Sequence, residues 1–410
     1  MIKKVIVIGG GAAGIMAAGR AAELGADVIL LEKMPQVGIK ISISGKGRCN
    51  LTSGEDMDKF IEAFGTTGKF LTNVFAKFFS PDLIDFFESI GIKTMLERGM
   101  RIFPLSGSAK DVVKTLATHL NKQGVNIITN TTVKGILVKE NKTFGVDTDK
   151  GIFNGDSVIL ATGGASYPQT GSTGDGYDMA RKLGHTIVPI RPALVPLEVK
   201  ESYIKDLQGL ALNNVTATVY LDGKNIAEAN GEMLFTHFGL SGPIILTLSK
   251  TVVDSLAKGR VQISIDLKPA LSREKLDDRF LREIKEHSNK NLDNMLKNLL
   301  PQSMIPVFTK IIGIPHDKKV HQITQKERMD LTLLLKDMRV AITRPRPLKE
   351  AIVTAGGVST KEIDPKTMES KIIKGLYICG EVIDVDAKTG GYNLQAAFST
   401  GWMAGTMAAK

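Results

Sequence analysis

Cysteine is nearly missing from this chain: Cys49 and Cys379 are the only two in 410 residues. Two thiols make neither a disulfide framework nor a cysteine metal cluster, so a stapled secreted scaffold is excluded and a reducing cytoplasm is the expected compartment. Long apolar runs are also missing. None approaches the ~18–20 residues that span a bilayer, and the N-terminal stretch is too short and too glycine-rich for a signal peptide. There is no internal repeat and no low-complexity tract. What remains is an ordinary globular composition, 43% apolar and 23% charged, in a chain long enough for two or three domains.

The strongest positive signal lies at residues 2–14, IKKVIVIGGGAAG. An apolar strand at 5–8 feeds a glycine turn with Gly9, Gly11 and Gly14. An alanine-rich helix follows, and a second apolar strand ends at Glu32, 18 residues after Gly14. This is the spacing of a dinucleotide-binding βαβ unit. Gly9 permits the turn, Gly11 lets backbone approach a pyrophosphate, and Gly14 lets the helix lie close on the sheet. The helix N-terminus offers unpaired N–H groups and a positive dipole end to phosphates. Glu32 accepts hydrogen bonds from ribose hydroxyls and repels a 2′-phosphate, which favours FAD or NAD over NADP.

Three further stretches carry chemistry. VILATGG at 158–164 is a strand whose exit brings backbone close to a ligand. LYICGEVIDVD at 376–386 delivers Gly380 and Glu381 from a strand, with Asp384 and Asp386 placed to bind ribityl hydroxyls. TGGYNLQ at 389–395 then opens the last helix. A helix N-terminus at Gly390-Gly391 aimed at a flavin N1–C2=O edge stabilises the anion of reduced flavin. The fourth stretch, GIKISISGKGRCNLT at 38–52, contains Arg48, suited to a pyrophosphate or a substrate anion, and Cys49. A thiol beside a flavin can protonate a reduced carbon, and Lys46 and Arg48 are expected to lower its pKa. Cys49 as a packed small residue is the other reading.

The net charge is +10. Residues 258–346 hold 19 Lys and Arg against 11 Asp and Glu, an excess of eight positive charges. The segment includes Arg279, Arg282, Lys285, Lys290, Lys297, Lys318, Lys319, Arg339, Arg344 and Arg346. An RNA-facing surface is one reading; a solvated helical face is the other.

Along the chain, 33–55 reads as a polar loop outside the core, and 56–90 as helices whose phenylalanines recur on core-facing sides. An amphipathic helix follows at 108–123, then strands at 125–129 and 132–138, a hairpin-like 144–153, and a buried strand at 157–161. Residues 193–267 alternate as β segments, among them 215–221 and 261–267, and 272–340 reads as charged helix. The prolines at 344–347 mark a stiff junction. Strands at 351–355 and 376–379 and a helix over 393–408 close the chain. The organisation expected is an α/β FAD-binding domain (1–191 and 344–410) split by an insert at 192–343, β-rich over 192–267 and helical over 268–343. The insert has no second GxGxxG, so any nicotinamide donor, NAD(P)H, binds only transiently.

These motifs resemble the BaiN/RdsA family of FAD-dependent oxidoreductases, also described as NAD(FAD)-utilising dehydrogenases and as aminoacetone oxidase-like. The similarity runs through 9–14, SGKGRCN at 44–50, ATGGASYPQTGSTGDG at 161–176 and RPALVPL at 191–197. It continues through GEMLFTHFGLSG at 231–242, AGGVSTKEIDPKTMES at 355–370 and 375–401. Lys46 departs from the glycine more common there. The resemblance implies a Rossmann-like FAD domain of glutathione-reductase type with an inserted β-barrel and helices. The implied cofactor-binding set is Gly9, Gly11, Ala12, Ala13, Gly14, Glu32, Lys33, Gly45, Arg48, Cys49, Asn50, Val133, Ala161, Thr162, Gly163, Asp175, Gly380, Glu381, Asp386, Gly390, Gly391, Tyr392, Asn393, Leu394 and Gln395. Cys49 and His237 are the candidate catalytic groups; His237 lies in the insert, on a segment that would face the flavin, where it would transfer a proton, and a structural histidine is the other reading. No metal site is expected.

Three functions stay open. The first is reduction of a C=C bond, uridine to dihydrouridine in ribosomal RNA, by hydride to C6 and a proton to C5. The basic insert would hold the RNA and the uridine would flip out of its stack. The second is a small-molecule oxidase or dehydrogenase acting on an amine or a steroid-like enone. The third is a non-catalytic flavin-binding protein. No membrane partner is expected, and the sequence leaves the oligomeric state open.

Overall fold

The computed structural model describes residues 2–315 and 317–410. It divides into two compact units. One joins the chain up to Ala193 to Leu348–Lys410; the other is Leu194–Pro347.

The first unit is built on a five-stranded sheet in the order Leu376–Ile378, Ser157–Leu160, Lys4–Ile8, Asp27–Leu31, Asn126–Ile128. Every neighbouring pair is parallel. A parallel sheet is covered on both faces, so its strands read as continuous apolar runs, as VIVI at 5–8 and SVIL at 157–160 do. The helices Ala12–Glu23 and Tyr392–Ala408 pack together on it. They approach at backbone distance: a Cβ on Gly401 or Gly405 would sit 2.2 or 2.3 Å from the carbonyl oxygens of Ala13 and Ala17. Three smaller sheets surround this core. They are Val133–Lys139, Lys142–Thr148 and Gly151–Asn154; Thr52–Ser53, Arg101–Pro104 and Thr94–Glu97; and Ile187–Ala193 with Val353–Val358.

The second unit is a closed six-stranded antiparallel barrel in the order Leu197–Val199, Gly239–Ser241, Lys224–Phe235, Ala211–Leu221, Val261–Asp266, Met338–Pro345. The helices Arg273–Glu286, Leu292–Leu296, Ile305–Ile312 and Gln325–Lys336 add their apolar faces to its core.

Several elements differ from the sequence expectation. Residues 33–55 are not all loop: Ile39–Gly47 is a kinked helix, non-helical at Ser44, Gly45 and Lys46. Ile41, Cys49, Leu51, Thr52 and Ser53 are buried. The helix Pro243–Leu256 interrupts the β-rich segment. Met338–Pro345 is a barrel strand, so the insert runs to Pro347 rather than 343, and it begins at Leu194 rather than 192. The charge excess of the insert is also partly spent. Lys318 pairs with Glu327 (2.7 Å), Arg328 with Asp277 (2.9 Å), Lys336 with Asp266 (2.6 Å) and Arg339 with Asp337 (2.8 Å), while Arg344 and Arg346 share Glu198 (2.8 Å each). Arg282, Lys285, Lys290 and Lys297 remain exposed. Among the described residues no helix is long and apolar enough to cross a membrane.

Candidate functional site

The strand Lys4–Ile8 ends in the glycine turn, and Gly11 caps the following helix without any side-chain cap. A Cβ on Gly14 would lie 1.8 Å from the Gly9 carbonyl oxygen, whereas one on Gly11 would meet nothing within 4 Å. The turn is therefore packed beneath and open above, a cradle at a helix N-terminus. Glu32 stands beside it, nearly buried, accepting from the Gly10 amide (2.7 Å) and the Met34 amide (2.8 Å). Burial pushes this carboxyl above its ordinary pKa, and the two amides oppose that in part. Val133 is buried at the start of its strand, near Thr131, whose amide bonds the Glu32 carbonyl (3.0 Å).

Lys33 joins two expected residues. Its Nζ donates to Thr173 Oγ1 (2.5 Å) and pairs with Asp175 (2.6 Å). Thr173 also donates to Asp175. Burial raises the Asp175 carboxyl, but Lys33 and Thr173 outweigh it and hold it below its ordinary value. The 171–175 loop is thereby held at the end of the second strand, where a Cβ on Gly171 would lie 3.6 Å from Glu32 Oε1.

Glu381 is placed by three elements. Lys40 donates to it (2.7 Å), the Thr354 amide donates to its other oxygen (2.9 Å), and Ser166 Oγ lies 3.3 Å away and also accepts from Lys40 (2.8 Å). Sequence reasoning missed Lys40, Ser166 and Thr354. Their only signal is that all three lie in or beside the quoted motifs. Asp386 is buried.

The last helix starts at Tyr392 with Gly391 as its cap and no side-chain cap. Asn393 braces the preceding loop through Ala387, donating to its carbonyl and accepting from its amide at 2.9 Å each. Two side chains expected at the cofactor face inward instead. Gln395 is fully buried, bonded to Thr52 Oγ1 (2.6 Å) and Ser399 Oγ (2.9 Å). Tyr392 packs edge-on against Phe60 with ring centroids 4.7 Å apart. Both complete the core beneath the helix start. Leu394 is half-buried.

Around Cys49 the expected electrostatics are overturned. Cys49 has no exposed surface and a left-handed backbone (φ +60°). Burial pushes its thiol up to about 11, with Ser44 opposing weakly, so the thiol is protonated rather than activated. Arg48 is no free cation beside it: its guanidinium pairs with Glu97 and lies 4.3 Å over the Phe103 ring. Lys46 is exposed. Next to Cys49, Asn50 Oδ1 is buried without a partner, as is Thr162 Oγ1 in the Ala161-Thr162-Gly163 turn. Orphaned buried oxygens, an open glycine cradle and two helix starts without side-chain caps fit a dinucleotide cofactor. His237 belongs to the barrel unit, exposed between Lys224–Phe235 and Gly239–Ser241, its ring centroid 5.0 Å from that of Phe238.

Comparison with known proteins gives a match over residues 3–407 to the family described as HI0933-like protein Rossmann domain. The chain is 34% identical, over all of both chains, to the 3-dehydro-bile acid delta(4,6)-reductase of Clostridium scindens. It is 31% identical to the ribosomal RNA dihydrouridine synthase of Escherichia coli, covering 97% of this chain and 96% of that one. Among solved structures, the 3-ketosteroid delta1-dehydrogenase of Sterolibacterium denitrificans superposes with a TM-score of 0.56 over 99% of each chain at 13% identity, a likeness of fold alone.

Proposed function

The chain belongs to the HI0933-like Rossmann family and is an FAD-dependent oxidoreductase; on that premise we propose that it reduces a carbon–carbon double bond conjugated to a carbonyl, and that its substrate is a uridine of ribosomal RNA. Two relatives that match along nearly their whole length are named for a bile-acid reduction and for dihydrouridine synthesis. In a 3-dehydro Δ4 compound and in uracil alike, the reduced bond stands next to a carbonyl. The observation that carries the RNA reading is charge: the chain has a net +10, exposed Lys46 lies on the 45–50 stretch, and exposed Arg98 and Arg101 lie in the hairpin whose strand Arg101–Pro104 pairs with Thr52–Ser53 in the cofactor unit. Polyanions are drawn to such a field.

FAD, when bound and reduced, supplies a hydride. The helix N-terminus at Ala12 would hold its pyrophosphate, and Glu32 keeps lone pairs for ribose hydroxyls. Asn50 Oδ1 and Thr162 Oγ1 would gain the partners they lack. The substrate gains hydride at C6 and a proton at C5 as the C5=C6 π bond breaks. A transiently bound NAD(P)H would supply the electron pair that FAD passes on. Of the two expected proton donors, Cys49 keeps its proton at neutral pH but has no surface from which to deliver it. His237 is exposed.

The test is nucleoside mass spectrometry of ribosomal RNA from a strain lacking the gene. Dihydrouridine should vanish and return with the wild-type gene. Cys49→Ala should restore it as well, and His237→Asn should restore less than a tenth. Unchanged dihydrouridine in the deletion strain overturns the RNA reading. Reduction of a small enone is the second reading, favoured by the 34% match to the bile-acid reductase.

A further inference from the structure

The hairpin of Thr94–Glu97 and Arg101–Pro104 carries a surface that the cofactor site does not explain. Four apolar side chains stand out of it: Leu96 and Leu105 at 58% exposure, Met100 at 37% and Met95 at 36%. Scattered exposed apolar residues are ordinary; this many within one short hairpin marks a contact surface. Leu96 and Met100 lie together over Gly54, with side-chain carbons 3.5 and 3.2 Å from where its Cβ would be. They form one apolar knob beside the turn.

Cations frame the knob. Lys93, Arg98 and Arg101 are exposed. The one carboxylate of the hairpin, Glu97, is taken by Arg48. Arg101 stands opposite Glu97 in the ladder and helps hold that carboxyl below its ordinary value, but no salt bridge joins them among the described residues, and Arg101 Nε bonds the Arg98 carbonyl (3.1 Å). Thr94–Glu97 is the outer strand of its sheet, pairing on one side with Arg101–Pro104. The inner side of the hairpin is fixed to the candidate site: Arg101–Pro104 pairs with Thr52–Ser53, and the Leu51 amide bonds the Ile102 carbonyl (2.9 Å). A substrate held by the hairpin is therefore held next to the loop that carries Cys49 and Asn50.

We infer that this hairpin is an RNA-contact element, in which Arg98 and Arg101 meet phosphates and the Leu96–Met100 knob supports an unstacked base. The inference rests on the RNA reading of the function. A buried uracil edge is out of reach until the nucleotide leaves its stack. Proteins that open a stack place aliphatic side chains in the gap while cations hold the flanking backbone. A neutral apolar ligand would use the knob and leave the cations idle. A polyanion with flat base faces uses both.

The experiment measures binding of FAD-loaded protein to deproteinised ribosomal RNA from the deletion strain, across 50–300 mM NaCl, with dihydrouridine formation assayed alongside. Arg98→Gln/Arg101→Gln should bind at least about tenfold more weakly and flatten the log–log salt slope by about 1.4–1.8, the release of two phosphate contacts. Leu96→Ser/Met100→Ser should keep the slope and lose about tenfold or more of the dihydrouridine formed at saturating RNA. Bound FAD and melting temperature matching wild type establish that the variants fold. Wild-type affinity and slope in the arginine variant overturn the hairpin inference and leave the RNA reading standing. Wild-type protein with no salt-dependent RNA binding and no dihydrouridine overturns the RNA reading, and the inference falls with it.

Discussion

Two glycines three residues apart in the first turn have opposite surroundings, so replacing each with alanine tests a different property. At Gly14 the new methyl collides with main chain, the Gly9 carbonyl oxygen at 1.8 Å, which cannot rotate aside. Gly14→Ala should cost stability outright, by about 1–3 kcal/mol or more, seen as a lower urea midpoint in the apoprotein. At Gly11 the methyl enters open space above a helix start with ordinary backbone angles (φ −80°). Gly11→Ala should leave the apoprotein midpoint within about 0.5 kcal/mol yet weaken FAD binding at least tenfold, because it fills the cradle. Equal FAD affinity in Gly11→Ala and wild type would remove this loop from the cofactor site. At this scale the sequence is legible where the constraint is local. The glycine spacing and Glu32 sit within one βαβ unit. The partners Lys40–Glu381 and Lys33–Asp175 lie 341 and 142 residues apart, and no single sequence pairs them. For the same reason the sequence leaves Cys49 open between a reactive thiol and a packed one: its covering residues and the Arg48–Glu97 pair come from the fold.

Among the elements, His185 ties the segment after Asp175–Lys182 to the 359–373 stretch. Its Nε2 lies 2.8 Å from Ser370 Oγ and its Nδ1 3.1 Å from Glu362 Oε2, which also accepts from the Thr186 amide (2.8 Å). Burial lowers the His185 pKa below its ordinary 6.5, with Glu362 opposing. The unfolded chain then takes up the proton first. The stabilisation is complete above pH 6.5 and is lost as pH falls through that value toward the folded pKa. Glu362 is also held below its ordinary 4.5, because hydrogen bonds from Thr186 and His185 outweigh its burial. Its share is present above 4.5 and fades only at more acid pH. The urea midpoint of the wild type should therefore drop between pH 7 and 5 more steeply than that of His185→Gln. Parallel curves would mean that this histidine does not titrate with folding. Of the elements that the sequence reading did not expect, two show why. In 39–47, glycines and serines at 38, 42, 44, 45 and 47 read as loop punctuation, although Ser42 and Ser44 bond back to the carbonyls of Ile39 and Ile41 at 2.7 Å within the helix. The strand Met338–Pro345 was hidden at the end of a charged helical stretch. Its signal was there, since Met338, Val340 and Ile342 alternate and are the buried positions.

For the molecule as a whole, chain order and core order differ. The cofactor unit is assembled from both ends of the chain, while the barrel unit is one continuous segment. The apolar cores are two separate clusters, one drawn from residues up to Ala180 and from Val358 onward, the other from Leu197–Ile342. The places where the chain leaves and re-enters the cofactor unit are adjacent. Ile187–Ala193 runs antiparallel to Val353–Val358, and Ala193 stands opposite Val353. A short bridge between them closes a small loop, whose entropy cost rises only slowly with length. Replacing 194–347 with a short Gly/Ser linker should therefore give a protein that unfolds in one cooperative transition and still binds FAD. On the proposed reading it should form no dihydrouridine, because the proposed proton donor His237 is removed with the barrel unit. The FAD absorbance and the urea transition of this shortened chain are the measurements. A chain that binds no flavin and shows no transition would mean that the cofactor unit does not fold on its own core, and that the split seen in the fold is not a split in stability. Retained dihydrouridine formation would instead place the whole reaction, proton donor included, in the unit that carries Gly9, Glu32 and Cys49.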